Sequence, residues 1–274
     1  MDHYSWVNAY RSEFWGDFLC WFSSFFPYTS RMLTLRQISV SIHGKPIIHE
    51  FNSTFNPGET TVILGHNGSG KSSLALSIMG HPRYETTGNM ILDDQDISTA
   101  SPTDRHIAGL FLSFQNIPEI PGIKVSEYLR TIYNAHFARQ NIDTKSPSLF
   151  VFRRMIEKML PPLWLDPSFL DRDLFVWFSG GEKRRIELLQ IALLDPSVII
   201  LDEVDSGLDI DAIDILREQI STWHKIGKTI ILITHNFHLL DSVEVDNIII
   251  MRDGRVDRQG DRSLLADIRI QWYK

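Results

Sequence analysis

Four short runs of isoleucine, leucine and valine constrain the fold of this chain more than any other feature. They are TTVIL (60–64), SVIILDE (197–203), KTIILITH (228–235) and VDNIIIM (245–251), and segments with helical periodicity lie between them. Strands this apolar must be covered on both faces, as in parallel sheets. Strands that alternate with helices are typical of α/β proteins. We therefore predict an α/β fold built on a mostly parallel sheet.

Two further segments add to this core. The segment LTLRQISVSI (33–42) alternates apolar and polar residues and turns at His43-Gly44 into a second run, which predicts an antiparallel β edge. Residues 116–178 change character, since they contain two helical segments and the breaker Pro161-Pro162. We therefore predict one domain over residues 32–274, with an inserted helical subdomain at about 116–178.

The first 31 residues do not fit this pattern. They contain three tryptophans and five phenylalanines, three of which recur at helical i, i+4 spacing. Glu13 and Asp17 argue against a secretory signal or an organelle transit peptide. Three interpretations stay open: an upstream extension of the reading frame, a partner-binding helix and a targeting segment. Met32, just before the first strand, is a natural alternative start.

The composition excludes several classes of partner. The net charge of −7 argues against nucleic acid as the main partner, because phosphate backbones are bound by basic surfaces. Cys20 is the only cysteine, which excludes a disulfide framework and fits a cytoplasmic protein. No run reaches the roughly 18–20 apolar residues that a membrane-spanning helix needs, so we expect no transmembrane segment.

A glycine-rich loop, GHNGSGKSS (65–73), follows the strand at 60–64 and precedes a helical segment. The spacing Gly65-x4-Gly70-Lys71-Ser72 is that of a phosphate-binding loop, in which backbone N–H groups and a helix N-terminus face an anion. A plain glycine turn is the alternative, but the strand before and the helix after favour nucleotide binding. The candidate nucleotide-binding residues are Gly65, His66, Asn67, Gly68, Ser69, Gly70, Lys71, Ser72 and Ser73. Lys71 is expected to reach the phosphates and Ser72 Oγ to ligate Mg²⁺.

The strand at 197–203 ends in two carboxylates, Asp202 and Glu203. The carboxyl ends of parallel strands are where open α/β sheets bind ligands. Asp202 is a candidate Mg²⁺ ligand, and Glu203 is suited to polarise an attacking water. A helix cap would explain the pair alone, but together with the loop it favours hydrolysis.

Between these elements, FSGGEKRR (178–185) resembles the signature segment of ABC-type ATPases. The resemblance implies a cassette that binds ATP and Mg²⁺ and hydrolyses ATP. It implies that the signature residues are Ser179, Gly180, Gly181 and Glu182, and that the D-loop residues are Ser206, Gly207, Leu208 and Asp209. It also implies that Gln115 is a Mg²⁺ ligand and that His235 contacts the γ-phosphate. The implied catalytic set is Glu203, His235, Gln115 and Lys71.

In that family two copies stack head to tail, so that Ser179 and Gly181 would contact a nucleotide held by a second copy. This implies transient, ATP-dependent pairing. The family usually stacks the adenine on an aromatic residue in the first hairpin. His43 stands there instead, where it could stack on the base or face solvent.

Three stretches resemble SufC, the ATPase type of the Suf iron–sulfur cluster assembly system. They are EIPGI (119–123), SGGEKRRIELLQIALLDP (179–196) and LDEVDSGLDIDAI (201–213). The resemblance implies SufB- and SufD-like scaffold partners, which ATP-driven closure would rearrange. We also hypothesise that Lys183 or Arg184 pairs with Glu203 in the resting state. The alternative function is the ATP-binding subunit of a membrane ABC transporter, which shares these residues.

Overall fold

The computed structural model describes residues 30–113, 117–139 and 147–265, which form two compact units. One unit covers Pro118–Leu194, and the other covers Ser30–Ile117 together with the described residues from Asp195 onward. The first unit overlaps the helical subdomain expected at about 116–178 and also contains residues 179–194. Most of the aromatic N-terminal segment and Gln115 lie outside the described residues.

The elements of both units follow in chain order. They are β1 (Leu33–Ile42), β2 (Lys45–Phe55), β3 (Thr60–Leu64), α1 (Lys71–Ile78), β4 (Glu85–Leu92), β5 (Gln95–Asp96), α2 (Pro102–Ile107), β6 (Leu110–Ser113), β7 (Ile120–Lys124), α3 (Val125–Arg139), α4 (Leu149–Glu157), β8 (Asp173–Leu174), α5 (Gly180–Leu194), β9 (Val198–Asp202), α6 (Ile210–Lys225), β10 (Thr229–Ile233), α7 (Phe237–Ser242), β11 (Asn247–Arg252) and β12 (Arg255–Gly260). Two short 3₁₀ turns, Pro161–Leu163 and Pro167–Asp171, lie between α4 and β8.

The larger sheet has six strands in the order β12-β11-β3-β10-β9-β6. All its pairings are parallel except that of the edge strand β12 with β11. Every residue of β3, β9 and β10 is buried, as their apolar sequences require. The predicted α/β fold with a mostly parallel sheet is confirmed. Because β3, β10 and β9 are neighbours, the segments that follow them meet at one edge of the sheet.

The smaller sheet is antiparallel, with the order β2-β1-β4-β5, and it confirms the predicted antiparallel edge. β1 and β2 pair through a two-residue turn at His43-Gly44, where both φ angles are positive, as a type I′ hairpin turn requires. A hydrophobic core packs residues of this sheet against α1 and the larger sheet; it includes Phe51, Phe55, Leu74, Met90 and Ile231.

The unit Pro118–Leu194 is mainly helical. Its two-stranded sheet pairs β7 with β8, and α3 lies against α4, α5 and the 3₁₀ turn at Pro167–Asp171. Ser148 caps α4 by accepting a hydrogen bond from the Val151 N–H, and Phe152 and Ile156 form the buried face of that helix. In the part of the chain that the structure describes, no helix is long and apolar enough to cross a membrane.

Candidate functional site

The loop Gly65–Gly70 connects β3 to the first turn of α1. A Cβ atom at Gly65 would lie 2.2 Å from the carbonyl oxygen of Met251, so only glycine fits there. Gly70, with φ 104°, precedes α1 and gives it no side-chain cap, and the first turn of α1 has no acidic residue. The N–H groups at this helix start are therefore available for an anion, and the helix dipole favours one.

Lys71 is almost fully buried within this loop. Its Nζ donates hydrogen bonds to the carbonyl oxygens of Gly65 (2.8 Å) and His66 (3.1 Å). Burial lowers the pKa of Lys71 below its ordinary value, while the negative charges of Glu203 and Asp202 oppose that shift. The ammonium group is thus held at the inner wall of the loop with two carboxylates close enough to act on it.

Ser72 and Asp202 meet between α1 and β9. Ser72 Oγ donates a hydrogen bond to Asp202 Oδ1 at 3.2 Å, and Asp202 is 4% exposed. Hydroxyl and carboxylate oxygens are the ligands that Mg²⁺ prefers. Two of the three side chains named from the sequence as metal ligands are therefore adjacent, and the chemistry of their oxygens fits a magnesium ion.

Glu203 and His235 form the neighbouring pair. His235 Nε2 lies 3.5 Å from Glu203 Oε1, at the ends of the adjacent strands β10 and β9. Glu203 has a positive φ of 49°, an unfavourable conformation for a residue other than glycine, and its N–H donates to the Ile233 carbonyl. Burial and the charge of Lys71 lower the pKa of His235, against the opposing effect of Glu203 and Asp205. His235 therefore stays neutral to a lower pH than an ordinary histidine does.

A cavity of about 300 Å³ opens at this edge of the sheet. Its lining residues are Ile47, Asn67, Gly68, Gly70, Lys71, Ser72, Ser73 and Glu203. The loop therefore shares a polar cavity with the candidate general base. Gly65 and Ser69 are buried parts of the loop wall, and His66 is exposed and lies 3.7 Å from Asp253.

Two residues of this network were missed by sequence reasoning. Thr234 Oγ1 donates to Asp205 Oδ2 at 2.8 Å and accepts a hydrogen bond from the Asn236 N–H at 2.9 Å. The segment after β9 is thereby attached to the one that presents His235. Thr234 and Asp205 could have been suspected only because they are next in sequence to His235 and Ser206. Nothing in the sequence shows that the two side chains are in contact.

The predicted D-loop residues continue from this point. Ser206 and Gly207 are exposed, and Gly207 has φ 71°. Asp209 caps α6, since its Oδ1 accepts a hydrogen bond from the Ala212 N–H at 2.8 Å. This cap fixes the start of α6 and with it the end of the loop.

The signature residues lie at the start of α5. The Glu182 N–H donates to Ser179 Oγ at 3.2 Å, and the Ser179 N–H donates to Glu182 Oε2 at 2.7 Å, which is a reciprocal capping box. Ser179 and Gly180 are exposed, whereas Gly181 is buried. The capping box explains physically why a glutamate is suited to position 182.

The two basic residues after Glu182 have partners in the same unit. Lys183 Nζ lies 3.0 Å from Glu119 Oε1, and Arg184 forms a buried ion pair with Glu187. Arg184 and Glu187 compensate each other's charge, which a buried ion needs. The pairing of Lys183 or Arg184 with Glu203 in the resting state stays a hypothesis.

Comparisons with known proteins show which family the chain is similar to. The family described as ABC transporter matches residues 48–206. The chain is 39% identical to the probable ATP-dependent transporter slr0075 of Synechocystis sp., over 88% of this chain and 94% of the relative. It is 35% identical to the probable ATP-dependent transporter SufC of Escherichia coli, over 88% of this chain and 97% of the relative.

Solved structures agree on the fold. A nucleotide-free ATP-binding cassette from an ABC transporter has a TM-score of 0.71 at 21% identity, covering 88% of this chain and 95% of that one. The dimeric post-hydrolysis structure of the cassette MJ0796, bound to ADP and Pi, has a TM-score of 0.70 at 19% identity, covering 84% and 98%.

The chain belongs to the ABC transporter family, whose ATP-binding cassette it contains. It is an ATP-hydrolysing enzyme. Within the family it is a SufC-like ATPase, as its long match to the Escherichia coli protein indicates, and the resemblance drawn from the sequence is confirmed.

Proposed function

We propose that this chain is the ATP-hydrolysing subunit of an iron–sulfur cluster assembly complex, in which two copies pair on ATP and rearrange a SufB–SufD-like scaffold. The observation that carries the proposal is the extended match to SufC, which spans the loop, the signature segment and the Asp202-Glu203 strand. No cysteine follows Cys20, so the rest of the chain has no thiolate for a cluster. This chain would supply the motion, and its partners would supply the ligands.

Nucleotide binding rests on the loop and the helix start. Residues 67, 68 and 70–73 of the loop and the start of α1 line the cavity, and their N–H groups together with the dipole of α1 would hold the phosphates. Lys71 would exchange its two carbonyl acceptors for phosphate oxygens. Ser72 and Asp202 would hold Mg²⁺, which neutralises phosphate charge when it is bound. Gln115 is the third proposed ligand and lies outside the described residues.

Glu203 is the proposed base for hydrolysis. Glu203 lines the cavity, and its carboxylate would orient a water and accept its proton as the water oxygen attacks the γ-phosphorus. The bond from that phosphorus to the bridging oxygen then breaks, and ADP and phosphate leave. His235 lies 3.5 Å away and would position the γ-phosphate and the water. The lowered pKa of His235 keeps its imidazole in the neutral form at neutral pH, in which one ring nitrogen is a hydrogen-bond acceptor.

The signature residues would complete the site in trans. Ser179, Gly180, Gly181 and Glu182 stand at the start of α5, where Ser179 and Gly180 are exposed and Gly181 is buried. The dipole of α5 and the backbone donors of its glycines would favour a γ-phosphate there. The D-loop residues Ser206, Gly207, Leu208 and Asp209 would lie along the same pairing surface. A single chain would then hydrolyse ATP slowly, and pairing on the scaffold would accelerate it.

Recovery from native cells tests the assembly role. The chain, tagged at its C-terminus, would be purified under mild conditions, and its partners would be identified by mass spectrometry. We expect a SufB-like and a SufD-like protein, whose addition to the purified chain raises the rate of ATP turnover. Recovery of a polytopic membrane protein instead would overturn the assembly role and leave the ATPase intact.

Both relatives are named as probable ATP-dependent transporters, which favours one alternative, the ATP-binding subunit of a membrane transporter. Its catalytic residues would be the same, and its partner surface would bind a permease. The same purification separates the two functions, because their partners differ in kind.

A further inference from the structure

Trp177 has the most exposed large hydrophobic side chain in the part of the chain that the structure describes. It is 88% exposed and lies two residues before Ser179, directly ahead of the signature residues. A fully hydrated indole loses contacts that a buried one would make, so its position on this surface calls for an explanation.

The backbone at Trp177 is held in place from both sides. Phe175 and Phe178 are 5% and 7% exposed and anchor the segment. Arg172 Nη2 donates to the Trp177 carbonyl oxygen at 3.0 Å, and its guanidinium lies 4.2 Å from the centre of the Phe178 ring. The indole therefore extends outward from an ordered segment, and contact with it costs little chain entropy.

The backbone conformation is also unfavourable for this residue. Trp177 has φ 59°, in the left-handed region that favours glycine. A bulky residue at such a position persists when the surrounding structure fixes it, and such positions cluster where a ligand is bound. The exposure and the backbone strain of Trp177 therefore point to a contact with another molecule.

As far as the structure describes it, the lining of the nucleotide cavity offers no aromatic ring for a base. None of its lining residues, among those that the structure describes, is aromatic. His43, the hairpin residue considered for the base, is exposed and is not among them. A purine bound through its phosphates would thus have no aromatic ring from the cavity lining to stack on, although stacking on a flat ring is a common way to bind a base.

We infer that Trp177 stacks on the base of the nucleotide held by a second copy of this chain. The inference deepens the proposed pairing, on which it rests: the segment that ends in Ser179 approaches the partner copy's γ-phosphate, and the indole continues along the same nucleotide toward the base. Trp177 is then a specificity residue, which contacts the substrate in the paired state alone.

The test uses the full chain with Glu203→Gln, which should retain ATP because it lacks the proposed base, and measures the ATP-dependent dimer by analytical ultracentrifugation. Trp177→Gly removes the ring and relaxes the backbone, so folding is retained, which a thermal melt verifies. Trp164→Gly is the matched control, since Trp164 is 39% exposed, has φ 52° and belongs to the same unit. Trp177→Phe keeps a smaller ring.

We expect Trp177→Gly to weaken the ATP-dependent dimer about tenfold, Trp177→Phe to weaken it less, and Trp164→Gly to leave it unchanged. ATP binding to the single chain should be the same in all variants. Turnover is measured in the enzyme that keeps Glu203. There, Trp177→Gly should reduce the preference for ATP over UTP in kcat/KM, because a purine stacks more strongly than a pyrimidine.

An unchanged dimer in Trp177→Gly would overturn the inference. Equal loss with ATP and UTP would also overturn it, since Trp177 would then contact protein rather than the base. If the Glu203→Gln chain itself forms no dimer on ATP, pairing of the chain by ATP alone fails, and the inference falls with it; this control separates a failure of pairing from a failure of stacking.

Discussion

Ser72 Oγ donates a hydrogen bond to Asp202 Oδ1 at 3.2 Å, so the first turn of α1 meets the carboxyl end of β9 although 130 positions separate the residues. The contact exists because β3 and β9 both run parallel to β10, the strand between them, so that their carboxyl ends lie at the same edge of the sheet. Hydroxyl and carboxylate oxygens are thereby adjacent beside the phosphate loop.

Replacing Asp202 with asparagine should separate metal binding from folding. Asparagine keeps an acceptor for Ser72 Oγ, so the free energy of unfolding should change by about 1 kcal/mol or less. The lost charge should raise the Mg²⁺ concentration for half-maximal ATP turnover by roughly tenfold or more. A magnesium titration of turnover measures this, and an unchanged midpoint would contradict the assignment of Asp202 as a ligand.

Replacing Glu203 with glutamine should stop the chemistry without stopping binding. The amide has nearly the same size but is a far weaker base, so turnover should fall about 100-fold or more. ATP affinity, measured by calorimetry, should stay within a few fold, because the phosphate loop is unchanged. Asp205→Asn is a comparison at a neighbouring carboxylate and should cost less; turnover near the wild-type rate in Glu203→Gln would exclude Glu203 as the base.

The lowered pKa of His235 predicts a pH dependence of stability in the nucleotide-free protein. Below the ordinary value of about 6.5, the unfolded chain gains a proton on this histidine that the folded chain does not. The unfolded state then binds more protons, so the free energy of unfolding falls as pH decreases from about 6.5 toward the folded pKa.

His235→Gln should remove this contribution, and the variant should lose less stability than the wild type between pH 7 and pH 5.5. Denaturant unfolding at both pH values measures the difference, and His43→Gln, at the exposed hairpin turn, serves as the control. Identical pH slopes for the wild type and His235→Gln would show that the histidine titrates equally in both states.

The capping box of Ser179 and Glu182 predicts a graded effect on stability. Glu182→Ala removes the bond to the Ser179 N–H and should cost about 0.5–2 kcal/mol of unfolding free energy. Glu182→Gln retains an acceptor oxygen and should cost clearly less. Thermal and denaturant unfolding compare the two variants, and equal losses would mean that the charge at the helix start matters more than the hydrogen bond.

Several features of this protein follow from the sequence alone. The apolar runs of β3, β9 and β10 predict buried parallel strands, since a strand without a polar face must be covered on both sides. The Gly65–Ser72 pattern predicts the phosphate loop, because its chemistry lies within eight consecutive residues and depends on local backbone geometry. Such properties are periodic or local, and they can be read without knowing which strands are neighbours.

The tertiary structure decided the rest. The contact of Thr234 with Asp205 and the positive φ of Glu203 depend on strand order and packing, which the sequence pattern leaves open. Arg184 illustrates the same limit, because a long side chain can reach several acids and packing selects Glu187. The exposure of Trp177 arises because the buried rings of Phe175 and Phe178 fix the backbone on both sides of it, and the indole is left to face solvent.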